Sequence, residues 1–166
     1  MRVLGIDPGT LTTGWGIVEG NGHELAYVAS DRIRVTSKFP MHERLWIIFE
    51  ELRPVALMGP DVIAVEATFV NPRNAQSALA IAQARAVVGM TAARAGIKYV
   101  EYSPAEVKRA VTADGRSEKS AVKLAVEAIL RVPDTLSYDQ ADALAVAICH
   151  FNNAQQNALL ARSVIN

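Results

Sequence analysis

Cysteine is nearly absent: Cys149 is the single one in a chain of 166 residues. This excludes an intramolecular disulfide and any multi-cysteine zinc site. On the apolar helix where it falls, Cys149 reads as a small buried hydrophobe. His23, His42 and His150 have no metal-ligand spacing. No window holds eighteen uninterrupted apolar residues, so no membrane span is expected. The first apolar stretch is too short for a signal peptide and runs straight into Asp7. Internal repeats, linkers and low-complexity segments are missing, and with them any reason to divide the chain. The expectation is a single cytoplasmic domain. An excess of either charge is missing too, because 17 basic residues balance 17 acidic ones. Zero net charge does not exclude a nucleic-acid partner. A cluster of metal-binding acids can cancel bases elsewhere, so local distribution decides.

What is present is a set of four acids at well-spaced pattern breaks. Asp7 ends the apolar run Val-Leu-Gly-Ile, and Glu66 ends Val-Ile-Ala-Val. Apolar runs of this length with β-branched residues read as buried strands. An acid at the mouth of a buried strand is costly unless something compensates it. Asp139 and Asp142 lie three apart where a long Ala-rich helix begins. Each acid alone has an ordinary structural explanation. Asp7-Pro8-Gly9 is a turn signal. Ser137 with Gln140 fits a capping box, making Asp139 a dipole-friendly acid of the first turn. Asp142 resists this, because Ala145 and Val146 put it on an apolar stripe. Together, three elements delivering carboxylates to one sheet edge could hold a pair of divalent cations, an arrangement that clamps a phosphodiester for in-line attack.

The order along the chain reads β-β-β-α-β-α-β-α-α-α. Strands are expected at 2–7, 14–18, 24–35, 62–66 and 97–102, with Gly20-Asn21-Gly22 as a tight antiparallel turn. Leu45, Ile48, Phe49 and Leu52 give a helix over 41–57 that Pro54 should kink or end. A long helix spans 75–95. Ser103-Pro104-Ala105-Glu106 combines a capping box with proline at the first helical position, and Asp114-Gly115 breaks the short helix it starts. Ser117 is expected to cap a helix over 118–131. The last helix runs from 138 to 155 or beyond. These elements suggest an α/β fold, a mixed five-stranded sheet with helices on both faces. Its first strand should be central, flanked by consecutive parallel strands through right-handed crossovers. Asp7 and Glu66 then end neighbouring parallel strands on the edge where such sheets carry their sites.

Two further features concern partners. Lys108, Arg109, Arg116, Lys119 and Lys123 fall in one short stretch, and Arg73 and Arg85 flank the segment after Glu66. Each is equally explained by a solvated helix face. From Ala75 to Ala93 the only charged residue is Arg85. A surface helix should carry a polar face. This one is apolar nearly all round and rich in small residues, so one side can cover the sheet while the other needs a second partner, either a second subunit or the C-terminal helices of its own domain. Ala78, Ala82 and Ala86 are the expected contacts of a two-fold dimer.

The segments IDPGTLTTGWGIVE, VIAVEATFVNPRNAQSALAIAQARAVV, YSPAEVKRAV, SEKSAVKLAV and DQADALAVAICH, in this order, span nearly the whole chain. In them the chain resembles the RuvC family of bacterial Holliday-junction resolvases, within the ribonuclease H-like superfamily. The resemblance implies a ribonuclease H-like fold over 1–155, with 156–166 a tail of unassigned role. It implies a homodimer that makes paired, symmetric Mg²⁺-dependent incisions across four-way DNA junctions, in recombination and repair. Partnership with RuvA and RuvB is implied as well. The family's catalytic acids fall on Asp7, Glu66, Asp139 and Asp142, some members having His where Asp139 stands. Its DNA-contacting lysines fall on Lys108 and Lys119, and its junction-probing aromatic on Phe69; Arg73 is a further expected DNA contact. Asp7 would bridge two Mg²⁺ ions, for which Mn²⁺ is an acceptable substitute. Glu66 would complete one ion, Asp139 and Asp142 the other, and Lys119 would stabilise charge at the scissile phosphate. Two readings compete. A related nuclease acting on RNA or an RNA–DNA hybrid would use the same acids. A nucleotide-binding module of the sugar kinase/actin type shares Asp-x-Gly after a strand, but needs a second domain and leaves Asp139 and Asp142 without a role.

Overall fold

The computed structural model describes residues 1–21, 24–67 and 75–163. Phe69 and Arg73 lie outside the described residues, as do His23 and Gly22 of the expected turn. Five strands are found among the described residues: β1 (Arg2–Asp7), β2 (Thr12–Gly20), β3 (Leu25–Arg34), β4 (Val62–Glu66) and β5 (Lys98–Tyr102). Five helices accompany them: α1 (Met41–Ala56), α2 (Ala75–Ala95), α3 (Pro104–Thr112), α4 (Lys119–Leu130) and α5 (Tyr138–Ser163).

The strands form one sheet in the order β3-β2-β1-β4-β5. β1 is central, as expected, but for a different reason. It pairs antiparallel with β2 on one side and parallel with β4 on the other. A hairpin therefore flanks it where a parallel crossover was expected.

The buried runs of β1 and β4 face both ways, and each face has its own core. On one face Val3, Val18 and Ala64 meet Val107 of α3, Val122 and Val126 of α4, and Ala141, Leu144, Ala145, Ile148 and Phe151 among others of α5. On the other, Leu4, Ile6, Ile17, Ile63 and Val65 meet Ile48 and Leu52 of α1 and Val87, Val88 and Ala92 of α2. Cys149 is fully buried and its thiol is pushed up to about 12 by burial, in keeping with a packing role.

α5 lies on the sheet with unusual intimacy. A Cβ at Gly5 would collide with the Ala143 carbonyl, and one at Gly14 with the Asp139 carbonyl. Glycine here admits the backbone of a helix onto the backbone of a sheet.

Two local expectations are corrected, those for Ser117 and Ala78. Pro54 sits inside α1, which continues to Ala56. Glu118, without a side-chain bond, takes the N-cap position of α4. Ser117 instead gives its hydroxyl to Thr112 Oγ1 at 2.8 Å, so its only hydrogen is engaged in the α3–α4 turn. Ala78 is buried within its own subunit and is unavailable to a second copy. α5 passes residue 155 without a break and runs on through Ser163.

Candidate active site

Strand periodicity aims the first two acids. Side chains two apart share a face, so Asp7 stands with Val3 and Gly5, and Glu66 with Ala64, on the α5 side. Register brings them together, since Ile6 pairs with Val65 one residue before. Asp142 comes down from α5 one turn after its start. That start is fixed by a complete capping box: Ser137 N donates to Gln140 Oε1 at 3.0 Å, and Gln140 N donates to Ser137 Oγ at 3.3 Å. α3 is set the same way. Glu106 N donates to Ser103 Oγ at 3.3 Å, and Ser103 N donates to Glu106 Oε2 at 2.8 Å.

These elements enclose a hollow of about 80 Å³ lined by Asp7, Glu66, Asp142, Lys108, Lys119, Val107 and Val122. Five of the expected site residues thus converge. Lys119 Nζ donates to Asp142 Oδ2 at 2.9 Å. Asp142 is largely buried, 14% exposed, while the lysine remains 69% exposed. A lysine in the first turn of α4 opposes the helix dipole, so its placement serves the hollow rather than the helix. Asp139 does not line this space. Its carboxylate lies 3.8 Å from Nη1 of Arg32 on β3.

The hollow is short of positive charge. Burial, then repulsion from Asp142, raises the Asp7 carboxyl from 3.8 to about 6. Burial, then repulsion from Asp7, raises Glu66 from 4.5 to about 7. Hydrogen bonding to Asp142 raises Lys119 in turn. Hard carboxylate oxygens that resist ionising together are a donor set suited to Mg²⁺ or Mn²⁺. Among the described residues no three ligand side chains stand close enough to form a ready cage.

A stability prediction follows from the sign of these shifts. Both carboxyls have folded values above their ordinary ones, so both are neutral in either state below about pH 4. Their contribution is lost as pH rises through about 6 and 7, when both must ionise inside the fold. The metal-free protein should therefore lose melting temperature between pH 5 and pH 8. Millimolar Mn²⁺ should restore more of it at pH 8 than at pH 5. Equal stabilisation at both values would remove the carboxylates as the binding groups.

Arg32 went unnoticed in the sequence, as did Tyr102. Tyr102 pairs with Glu66 in the sheet, and its hydroxyl lies 2.7 Å from Nδ1 of the buried His150. This ties β5 to α5 behind the hollow.

A model of the family described as crossover junction endodeoxyribonuclease RuvC matches residues 3–150. A protein of that name from Syntrophomonas wolfei is 41% identical over 98% of this chain and 95% of its own. One from Geobacter sp. strain M21 is 42% identical over 96% and 98%. A solved structure of T. thermophilus RuvC in complex with Holliday junction substrate superposes with a TM-score of 0.87. It is 29% identical and covers 95% of this chain and 96% of that one. Asp7, Glu66, Asp139 and Asp142 all fall inside the matched span, and the chain belongs to the RuvC family of crossover junction endodeoxyribonucleases.

Proposed function

We propose that the hollow is the hydrolytic centre of a homodimeric enzyme that resolves four-way DNA junctions by paired, symmetric incisions. One observation carries this reading: Asp7, Glu66 and Asp142, from three elements, share a hollow with Lys108 and Lys119. Asp7, Glu66, Asp142 and Asp139 would hold two divalent cations, Mg²⁺ by preference. When bound, these would lower the pKa of the attacking water and neutralise charge at the leaving 3′ oxygen. Lys119 has reach and exposure enough to turn from Asp142 to a phosphate oxygen. Lys108, which also lines the hollow, offers a second backbone contact. Val107 and Val122 form an apolar wall that limits stray water.

Dimerisation is supported by α2. Its exposed side carries Leu79 and Met90, at 62% and 63% exposure, with Ala86 between them and Ala82 half-buried beside them. Arg85, its one charge before Arg94, is turned aside to Glu101 at 3.6 Å. A two-fold pairing through this stripe gives one hollow per junction arm to be cut. Partnership with RuvA and RuvB is implied by the family resemblance, and a cytoplasmic setting belongs to the same reading. In the described residues no helix is long and apolar enough to cross a membrane.

The test is a substrate panel in Mg²⁺: mobile four-way junction, RNA–DNA hybrid and linear duplex. Paired nicks on the junction, with hybrid and duplex at least about a hundredfold slower, are expected; in barrier terms this is about 2.7 kcal/mol. Preferential cutting of the hybrid would transfer the chain to the RNA-directed reading.

A further inference from the structure

Arg32 occupies a place that the local sequence does not advertise. β1 and β2 pair Asp7 with Gly14, and β2 and β3 pair Gly14 with Arg32. Partners directly across antiparallel strands point to the same face. Arg32 therefore shares the row and the face of Asp7, two strands out. The position between them is a glycine, so no side chain separates the guanidinium from the sheet centre. The first turn of α5 lies over that gap, with the Asp139 backbone against Gly14. The turn is fastened to β3 independently, because Gln140 Nε2 donates to Ser30 O and to Ser30 Oγ, both at 3.1 Å.

Each acid of the α5 pair thus has its own cation. Asp142 holds Lys119, and Asp139 holds Arg32. The second pair is loose. Its separation is 3.8 Å, and its side chains are 30% and 37% exposed. An exposed pair of this kind is weak enough for a divalent ion to displace. The guanidinium cannot lose its charge and, once released, matches a phosphate in shape and sign. Arg34 stands two residues on, exposed and on the same face, extending a basic edge away from the hollow.

We infer that Arg32 is the counter-cation of Asp139 in the metal-free enzyme and passes to a DNA backbone phosphate when Asp139 turns inward to a divalent ion. This rests on the reading of the four acids as the metal site. Arg32 is thereby a positioning residue, holding the fourth acid outside the hollow until the ion arrives.

The consequence is a pair of opposite effects. Without DNA, Arg32→Ala removes a competitor for Asp139, and Mn²⁺ should bind about two- to fivefold tighter. With a four-way junction in Ca²⁺, the same variant should bind several-fold more weakly, its log–log salt dependence shallower by about one. Arg32→Lys keeps the charge but not the planar fork, so it should keep wild-type Mn²⁺ affinity and fall between wild type and Arg32→Ala in junction affinity. Mn²⁺ binding is read by calorimetry or by electron paramagnetic resonance of the free ion, and folding by melting temperature. A purely structural arginine would weaken both affinities together. That outcome, or unchanged Mn²⁺ affinity in Arg32→Ala, overturns the inference. Failure of the wild-type protein to bind Mn²⁺ at all would instead overturn the metal-site reading beneath it.

Discussion

Asp7→Asn is expected to stop junction cutting while leaving junction binding in place. Asp7 sits at the centre of the site because its strand sits at the centre of the sheet. It is the acid closest to having every other acid as a neighbour: Asp142 and Asp139 both raise its carboxyl, and it raises Glu66 in turn. The amide keeps the shape and removes the charge on which cation binding depends. The single-turnover rate should fall by about a thousandfold or more, on the order of 4 kcal/mol of barrier. If binding draws on backbone contacts from Lys108 and other basic residues outside the carboxylates, affinity for a junction in Ca²⁺ should change by less than about threefold. The metal-free variant should also melt higher than wild type at pH 8, since a buried charge has been removed. Near-normal cutting by Asp7→Asn would end the assignment of this hollow as the reaction centre.

The second large effect is expected at α2. Ala86→Glu and Leu79→Glu place a carboxylate on the exposed stripe. Within one subunit this costs little, because Leu79 and Ala86 face solvent. In a two-fold interface each change appears twice, and an unpaired buried charge is strongly unfavourable, about 3–5 kcal/mol. The dimer constant should weaken by at least about a hundredfold. Sedimentation at micromolar concentration should then show a folded monomer with an unchanged melting profile. Coordinated cleavage of the two strands should give way to slow single nicks. A variant that stays dimeric and cuts in pairs would move the interface off α2.

Much of this architecture was legible in the chain. Buried strands announce themselves through β-branched runs, and an acid at the end of such a run has few other places to be than a sheet edge. Asp7 and Glu66 were readable for that reason. The capping boxes at Ser103 and Ser137 were readable because they are local, four-residue statements. Other features depend on information that no local window contains. The parallel pairing of β1 with β4, some fifty-five residues on, is one. The side of α2 on which Ala78 falls is another, because a helix that is apolar all round gives no clue to its inward face. Arg32 is the clearest case. Its significance lies in register across two strand pairs, and a shift in that register between Ile17 and Val18 breaks simple counting along the hairpin. Ser117 misled for another reason: its cap signal was sound, but its hydroxyl turns back to Thr112, five residues earlier, and Glu118 takes the cap position.

The glycines beneath α5 also set a clock. With the helix seated on bare sheet backbone at Gly5 and Gly14, there is no slack through which it could slide, tilt or lift. The frame that carries Asp7, Asp139 and Asp142 moves as one piece. Any rearrangement that readies the acids is then a matter of side-chain rotamers, with no shift of the helix against the sheet. Loading should thus show a single kinetic phase, governed by how reluctantly the ion sheds its water, with no slow conformational phase behind it.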